Sequence, residues 1–572
     1  MNIAIVSSFE SYGGAALAAH RLYLGLQDRG AVVTMLVNNK QSDDPAVCRA
    51  RAGGADLKAD ETFLWRVFNS LIKNQRSDMS NTRFALPYPG LDLSRCELLA
   101  QADVINLHWV SGFLSSESVA GILALNKPVV WTLHDENPFT GGCHFSAGCE
   151  KYRVDCRDCP QLLNHHHQLP AHVLQAKRQL WQGNLTLVTP SRWLADNAAQ
   201  SAVFKGFPVQ AIPNSVDINV FKPRDKRETR ARLKIDPQSV CILYGAEEDK
   251  RKGVAELQRA LSRALDNRDV RLLAERGGLR LLSFGDSRWC LQHPSIPASN
   301  FGFVDTEEKL ADIFAAADFF VLPTLEDNLP NTALESLACG TPVVAYATGG
   351  IPDVVQEGIN GRLVPRGDVQ RLAAVVTDLA LQPSHGHEFA SACRETILSR
   401  FKLLDQASAY LHVFARLAAH GRSTVDYRQL ISRYGRSGLT VEAAPITLRP
   451  VLEASLAAKK LQKKPRVHKP VAVKNLLDRW AVAIKKRTLR LERRPSGKAL
   501  LAPVHMLWRA FRSIVHPRPR SPLAANPFLD GIAVAVKKRT LRLERSPLGK
   551  AFFSPFHMVW RAARYLFHRL FF

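Results

Sequence analysis

The sequence predicts an α/β protein built from two successive Rossmann-like, doubly wound domains. Apolar segments of strand length alternate with helix-length segments over residues 1–420, as expected for parallel strands buried between helices. The clearest unit comes first: Ile3–Val6, a loop containing Gly13 and Gly14, an Ala- and Leu-rich stretch and Val32–Val37 make a βαβ unit. The alternation restarts later in the chain. We therefore expect two sheets facing each other, with a ligand in the cleft at the carboxyl ends of their strands.

The other predicted strands are apolar segments distributed over both halves. They are Val104–Leu107, Val129–Leu133, Leu185–Val188, Val209–Ile212, Val240–Tyr244, Leu279–Phe284, Phe319–Leu322 and Val343–Tyr346. A helix around Leu403–Ala419 is expected to close the second unit. The predicted organisation is an N-terminal domain at 1–205, a C-terminal domain at 206–420, a linker at 421–475 and a basic extension at 476–572.

The positive charge of the chain is concentrated in its last part. Of the 77 lysines and arginines, 29 lie in residues 447–572, together with five of the 52 acidic residues. That segment therefore has a net charge of +24, and residues 1–446 have a net charge of +1. The segment also contains an internal repeat, at 476–517 and 528–572, whose shared nine-residue core begins at Lys485 and again at Lys537.

The extension combines basic residues with aromatic ones, among them Trp508 and Trp560. This mixture is typical of an amphipathic helix lying on a membrane surface, so we expect a basic helical extension that docks on an anionic membrane. A disordered basic tail is one alternative, and nucleic-acid binding is the less favoured partner. Neither a signal-like start nor a membrane-spanning apolar run is evident, which predicts a cytoplasmic protein, peripheral on the inner face of the cell membrane.

Four of the ten cysteines lie close together in the sequence. They are Cys143, Cys149, Cys156 and Cys159, and the last two form a Cys-x-x-Cys pair. Clusters of this kind in a reducing compartment favour a metal, so a structural zinc site is one hypothesis. Free thiols and a disulfide pair are the alternatives.

The most informative motif is a carboxylate loop followed by a predicted helix. It runs Leu325-Glu-Asp-Asn-Leu-Pro-Asn-Thr-Ala-Leu-Glu-Ser-Leu-Ala-Cys-Gly340 and follows a predicted strand. This segment resembles the donor-site signature of GT-B glycosyltransferases of family four. Its sequence is similar to that of a branch of the family that acts in colanic-acid-like exopolysaccharide assembly. The resemblance implies that Glu335 binds the ribose and that Asp327 takes the place of the first glutamate.

The same resemblance assigns other positions of the loop to donor binding, namely Glu326, Asn328, Leu329 and Thr332. There is a second interpretation of the helix start, because Thr332-Ala-Leu-Glu335 also matches a capping box. In that case Glu335 would only close its helix.

Further motifs resemble the same family. Asp249-Lys-Arg-Lys-Gly253 resembles the phosphate-binding loop, with Lys252 on the donor diphosphate. Where the family has an arginine this chain has Glu247, and Lys250 or Arg251 is a candidate substitute. Gly13 and Gly14 resemble the first glycine-rich turn of the family.

A histidine is also implied by the resemblance. His134 follows the predicted strand Val129–Leu133 and matches the family histidine that donates a hydrogen bond to the donor sugar. With it, Asp327 and Glu335 complete the expected catalytic set. The segments 190–193 and 212–217 resemble family landmarks that line the cleft or the hinge.

The resemblance, which covers about residues 1–420, implies a retaining, metal-independent hexosyltransferase. It would move a sugar from a nucleotide-sugar donor to a glycan acceptor, expected to be lipid-linked, in cell-surface polysaccharide synthesis, and it would need no further cofactor. One alternative is a starch- or sucrose-type synthase with a soluble acceptor. The other is a degenerate nucleotide-sugar-binding protein with a nucleic-acid-binding tail, which the Asp327 and Glu247 departures would favour.

Overall fold

The computed structural model of the protein describes residues 1–53, 57–80, 82–165, 168–247, 249–384, 388–419, 426–443, 452–454 and 457. In this part of the chain, the strands form two sheets of the predicted parallel kind. The basic extension at 476–572 and its repeats lie outside the described residues. Among the helices that the structure describes, none is long and apolar enough to cross a membrane.

The first sheet contains the strands of the N-terminal half. They are β1 (Asn2–Phe9), β2 (Val32–Asn39), β3 (Val47–Ala52), β4 (Leu91–Asp92), β5 (Val104–Leu107), β6 (Val129–Thr132), β7 (Leu185–Thr189) and β8 (Val209–Ala211). Its parallel part has the order β3-β2-β1-β5-β6-β7-β8. The order reverses direction between β1 and β5, and in such sheets the ligand crevice lies at this switch point, beyond the carboxyl ends of the strands.

The second sheet repeats the same plan. Its strands are β9 (Val240–Ala246), β10 (Leu279–Gly285), β11 (Ala298–Asn300), β12 (Phe319–Leu322), β13 (Val343–Tyr346) and β14 (Gly361–Val364). They follow the order β11-β10-β9-β12-β13-β14, and all neighbouring pairs are parallel. The switch point therefore lies between β9 and β12, whose carboxyl ends lead into the predicted phosphate loop and carboxylate loop.

Helices cover both faces of each sheet. In the first half they are α1 (Gly14–Asp28), α2 (Leu57–Val67), α3 (Glu97–Ala100), α4 (Ser116–Leu123), α5 (Leu169–Leu180) and α6 (Arg192–Gln200). In the second half they are α7 (Lys226–Arg232), α8 (Val254–Ala264), α9 (Arg268–Glu275), α10 (Glu307–Ala316), α11 (Asn331–Ala338), α12 (Val369–Leu381) and α13 (Ala390–Arg400). The chain then continues through α14 (Leu403–Leu417), α15 (Tyr427–Ser437) and β15 (Leu439–Ala443).

The last described elements return to the first sheet, which differs from the predicted boundaries. Helix α14 packs against α1, because Ala407, Tyr410 and Phe414, at helical spacing, are buried against Tyr23 and its neighbours. Strand β15, predicted to lie in the linker, pairs in parallel with β3 and antiparallel with β4. Strand β8, beyond the predicted boundary at 205, also belongs to the first sheet.

Candidate active site

The carboxylate loop lies between β12 and α11 and is buried. Glu326, Asp327 and Asn328 are each less than a tenth exposed. Two glycines after β13, Gly349 and Gly350, pack against the loop. The amide of Gly350 donates to the carbonyl of Asn328 (2.7 Å). A Cβ on Gly349 would lie 1.6 Å from the carbonyl oxygen of Asp327, and its φ is +56°. Only glycine therefore allows the loop to pack this closely.

The predicted phosphate loop follows β9 and faces this carboxylate loop. A single turn of 3-10 helix spans Lys250–Lys252, and the Asp249 carboxylate caps it by accepting from the amide of Arg251 (3.1 Å). Gly253 then starts α8 with φ +72°, where a Cβ would lie 1.8 Å from the carbonyl oxygen of Pro323. The turn thus places two cations at the N-terminus of a helix, where the helix dipole also favours an anion.

Asp327 links the two loops through an ion cluster. Its Oδ2 lies 3.0 Å from Lys252 Nζ and 3.0 Å from Arg251 Nη1, and Arg251 also donates to the carbonyl of Glu326 (2.6 Å). Burial alone would raise the pKa of Asp327, but the two cations and their hydrogen bonds lower it to about 2. Burial likewise opposes the charge of Lys252, yet Asp327 and Glu247 raise its pKa. All three groups are therefore ionised near neutral pH.

The structure also distinguishes between the two candidate substitutes for the family arginine. Arg251 is buried at the cluster, with its guanidinium 4.1 Å from the ring centroid of Phe145, whereas Lys250 is exposed. Glu247 stays at the surface, 3.7 Å from Lys252. Arg251 is thus the second cation of the site.

Glu335 lies in the first turns of α11 and is buried, but it does not cap the helix. Helix α11 begins at Asn331 after Pro330, with no side-chain cap, so the capping-box interpretation is wrong. Glu335 Oε1 instead lies 2.8 Å from Nη2 of Arg21, a buried residue of α1 that also contacts Glu307 (2.6 Å). Burial raises the pKa of Glu335, and Arg21 opposes that shift.

Several hydrogen bonds join the carboxylate loop and α11 to the first sheet. Asn328 donates to the carbonyl of His134 (3.1 Å) and accepts from the hydroxyl of Ser191 (2.6 Å). Asn331 donates to the carbonyl of Gly14 (2.9 Å), beside Gly13 at the start of α1. One edge of the first sheet therefore contacts the carboxylate loop and α11. This edge contains the predicted glycine turn, His134 and the segment 190–193.

Two other predicted positions contribute less directly. The side chain of Leu329 belongs to the hydrophobic core of the second sheet, and its carbonyl accepts from Asn214 (3.3 Å). Thr332 lies half-buried in the first turn of α11. Neither side chain has a contact that assigns it to a ligand.

Glu326 faces a second buried carboxylate, Glu136, across a shared loop. Glu326 accepts from the amide of Ala147 (2.9 Å) and the hydroxyl of Ser146 (3.3 Å), and Glu136 accepts from the amide of Ser146 (2.5 Å) and from Asn197 (3.0 Å). Burial, followed by the nearness of Glu326, raises the pKa of Glu136 to about 8. The pair therefore holds a proton near neutral pH, which avoids two adjacent buried charges.

The predicted zinc site is not supported. Cys143, Cys149, Cys156 and Cys159 line one small cavity, but in the described ranges no group of three or more Cys, His, Asp or Glu side chains is placed to hold a metal ion. All four are free thiols, and burial raises the pKa of Cys156 to about 12. The side chains share a cavity without converging on one point, so sequence spacing alone misled the prediction.

Sequence reasoning missed several residues of this edge. Arg21, Glu136 and the Gly349–Gly350 pair had no place in the predicted site, and neither did His108, whose ring contacts that of His134. Arg21 did leave a signal, because it is an arginine within the apolar stretch that became α1. Its partner could not be inferred, since Glu335 lies 314 positions away.

Comparison with known proteins finds a family that is similar to the region of the second sheet. Residues 238–382 match the family model described as glycosyl transferases group 1. This segment is similar to that family, and we refer to it as the group 1 domain. The domain contains Arg251, Lys252, Asp327 and Glu335, four of the side chains at the edge described above.

Two curated relatives share part of the sequence. The chain is 28% identical over 272 residues to a D-inositol 3-phosphate glycosyltransferase of Segniliparus rotundus, covering 45% of this chain and 57% of that protein. It is 28% identical over 226 residues to the protein of the same name from Mycobacterium sp. strain KMS, covering 38% and 48%. The chain thus matches about half the length of these relatives, and neither name refers to colanic acid or exopolysaccharide.

The fold outside the group 1 domain is also found in a solved structure. Sucrose-phosphate synthase from Thermosynechococcus elongatus superposes with a TM-score of 0.51 at 20% sequence identity, covering 73% of this chain and 99% of that one. This likeness concerns the fold alone. The predicted two-sheet GT-B fold is confirmed over the described residues.

Proposed function

We propose that the protein is a glycosyltransferase that moves a sugar from a nucleotide-sugar donor to a glycan acceptor. The observation that carries this proposal is the ion cluster of Lys252, Arg251 and Asp327 at the carboxyl ends of β9 and β12, with Glu335 on the helix that follows the carboxylate loop, all within the group 1 domain. This is the edge where doubly wound sheets bind their ligands.

The chemistry needed is the neutralisation of a diphosphate leaving group. Lys252 and Arg251 would offset the charge that grows on the diphosphate, and the N-terminus of α8 would add to their effect. Two fixed cations and backbone amides supply this without a metal, which supports the metal-independent mechanism. Glu335 would accept hydrogen bonds from the ribose hydroxyls.

Asp327 holds both cations at the site before the donor arrives. Because its Oδ2 already lies 3.0 Å from each, a bound diphosphate would share these cations with Asp327 or replace it as their partner. We propose that this residue orients the cations and contacts the donor sugar.

The first experiment asks whether the protein binds and uses a nucleotide sugar. Thermal shift against UDP-, GDP- and dTDP-glucose should identify the base, since ligand at about 100 times Kd adds about 2.7 kcal/mol of stability. The identified donor is then used in transfer and donor-hydrolysis assays. Measurable turnover favours the enzyme, whereas binding without turnover favours the degenerate binding protein.

The second experiment compares two lysines of the same turn. Lys252→Ala should lower kcat/KM at least about tenfold, because a hydrogen bond to a charged group contributes about 1.5–3 kcal/mol. Lys250→Ala is the matched control, because Lys250 is exposed on the same turn. Equal kinetics for the two variants would overturn the assignment of Lys252 to the diphosphate.

The acceptor and the stereochemistry are proposals of the same kind. We propose a retaining transfer to a lipid-linked glycan in cell-surface polysaccharide synthesis, with the basic extension docking the enzyme on the membrane. The names of the curated relatives make inositol phosphate a necessary member of the acceptor panel. NMR of the first product will show whether the anomeric configuration is retained, and a full rate in EDTA is expected if no metal takes part.

A further inference from the structure

A buried series of hydrogen bonds ends at His134. It starts at the backbone carbonyl of Val130 on β6, which accepts from Asn106 Nδ2 (2.9 Å). Asn106 Oδ1 lies 2.9 Å from His108 Nε2, and His108 Nδ1 lies 2.9 Å from His134 Nε2. Asn106 belongs to β5, and the two histidines follow β5 and β6 at their carboxyl ends, so the series leads from the sheet interior to the cleft.

The direction of the first hydrogen bond is determined by chemistry alone. A backbone carbonyl can only accept, so the amide group of Asn106 that faces Val130 must be the NH₂ group. The same NH₂ group also donates to Thr132 Oγ1 (3.1 Å). Asn106 therefore presents its oxygen to His108, and reversing the amide would place two acceptors against each other at Val130.

The direction then passes to the histidines. Because Asn106 Oδ1 can only accept, Nε2 of His108 carries a hydrogen. His108 is buried, and burial lowers its pKa well below the usual value, so the ring is neutral and its Nδ1 has a lone pair. That lone pair accepts the hydrogen bond from Nε2 of His134.

His134 is then left with one bare nitrogen. Burial lowers its pKa to about 4, although Asp135 opposes this shift, so the ring is neutral near pH 7. Its Nδ1 forms no hydrogen bond to any of the described residues and is not fully enclosed. The carbonyl of the same residue contacts Asn328 of the donor loop, so His134 borders the proposed donor site.

We propose that Asn106 and His108 are positioning residues that hold His134 in the Nε2–H tautomer and leave Nδ1 as a hydrogen-bond acceptor at the cleft. The family resemblance implied that His134 donates to the sugar. The hydrogen-bond series reverses this direction: His134 accepts from a hydroxyl group of the bound sugar. This second statement rests on the proposed function, whereas the tautomer does not.

The tautomer can be measured on the full-length protein without any ligand. Protein labelled with ¹⁵N in the histidine rings is studied by NMR, and the signals of His134 are assigned by their loss in His134→Ala. We expect a protonated Nε2 and an unprotonated Nδ1. A protonated Nδ1 with a bare Nε2 would overturn the proposal.

Two substitutions of His108 separate positioning from a merely structural role. Glutamine offers one acceptor and one donor, so His108→Gln can replace both hydrogen bonds and should preserve the tautomer of His134. Phenylalanine keeps a flat ring but offers neither, so His108→Phe should leave His134 in a mixture of tautomers. His293→Gln, in a loop of the second sheet, is the control for the loss of an unrelated histidine. The same tautomer in all variants would refute a role for His108.

The contact between His134 and the sugar is tested with UDP-glucose and its monodeoxy series, and the tautomer then gives the direction of the hydrogen bond. Removal of the hydroxyl that donates to Nδ1 should weaken binding to the wild type about three- to tenfold, the usual contribution of one hydrogen bond. The same removal should have no effect on His134→Ala. If no member of the series distinguishes the two proteins while UDP-glucose binds, the sugar contact is refuted. If none of UDP-, GDP- and dTDP-glucose binds, the proposed function has failed and the NMR result still decides the tautomer.

Discussion

The ion pair between Arg21 and Glu335 joins the two halves of the fold, and substitution of Arg21 tests how much it stabilises them. Arg21 on α1 is buried, its Nη2 lies 2.8 Å from Glu335 Oε1 on α11, and the same guanidinium contacts Glu307 and the carbonyl of Ser215. Arg21→Met keeps most of the apolar stem and removes the charge. It leaves Glu335 as a buried carboxylate without its cation.

The expected cost follows from this geometry. Removing one partner of a buried ion pair costs about 3–5 kcal/mol, because the remaining charge has neither water nor counter-ion. Glu335→Met should cost less, since Arg21 retains Glu307, which is 35% exposed and partly hydrated. The double variant should lose less than the sum of the two, because the unpaired charge is then absent.

The pH dependence gives an independent check on the same variant. Burial already raises the pKa of Glu335, and loss of Arg21 raises it further. The folded variant then binds a proton that the unfolded chain releases near the ordinary carboxyl pKa of about 4. Its stability therefore falls as the pH rises above that value, so the deficit relative to wild type should be larger at pH 8 than at pH 5.

Urea unfolding followed by tryptophan fluorescence measures these free energies. Arg192→Met is the matched control, because Arg192 also pairs with a carboxylate of the other half, Asp353 (3.1 Å), but is 76% exposed. Such an exposed pair contributes about 0–1 kcal/mol. If Arg21→Met costs no more than Arg192→Met, or if the double variant is strictly additive, the pair does not hold the two sheets as described.

Three further predictions concern other parts of the chain. The wild type should lose stability as the pH falls from about 4 to 2, because the cations that lower the pKa of Asp327 stabilise only its charged form. Asp327→Asn should not show this loss. Acid titration of both proteins, followed by circular dichroism, measures the difference. Glu136→Gln should be more stable relative to wild type at pH 8 than at pH 5, because the raised pKa of Glu136 makes wild-type stability fall between these values. Thermal unfolding of both proteins at pH 5 and pH 8 measures this. An equal change of stability in the two proteins would contradict the prediction. Deletion of 447–572 should abolish co-sedimentation with anionic vesicles, since each basic residue near such a surface contributes about 1 kcal/mol; binding that ignores lipid charge, or stronger competition by duplex DNA, would contradict the membrane proposal.

Sequence reasoning identified the elements whose signal is local. The buried strands β1, β5, β9 and β12 are continuous apolar segments, and the carboxylate loop has a motif that can be recognised from its own sequence. Strand β15 was missed, because its place depends on β3, about 390 positions earlier. Such a short strand has little apolar pattern of its own, and its pairing with β3 and β4 is decided by the rest of the fold.

The site shows the same division between local and distant information. Resemblance placed Lys252, Asp327 and Glu335, which share one domain, but not Arg21 or Ala147, which reach two of its carboxylates from the other half. Asn106 was a local signal that went unused, because an amide in an otherwise apolar strand must find a partner inside the protein. The partner of its oxygen is His108, and through it the interior of β5 controls which nitrogen of His134 meets the cleft. A motif reveals only His134, the residue at the cleft. A polar residue in a buried strand, such as Asn106, can therefore indicate the residues that position it.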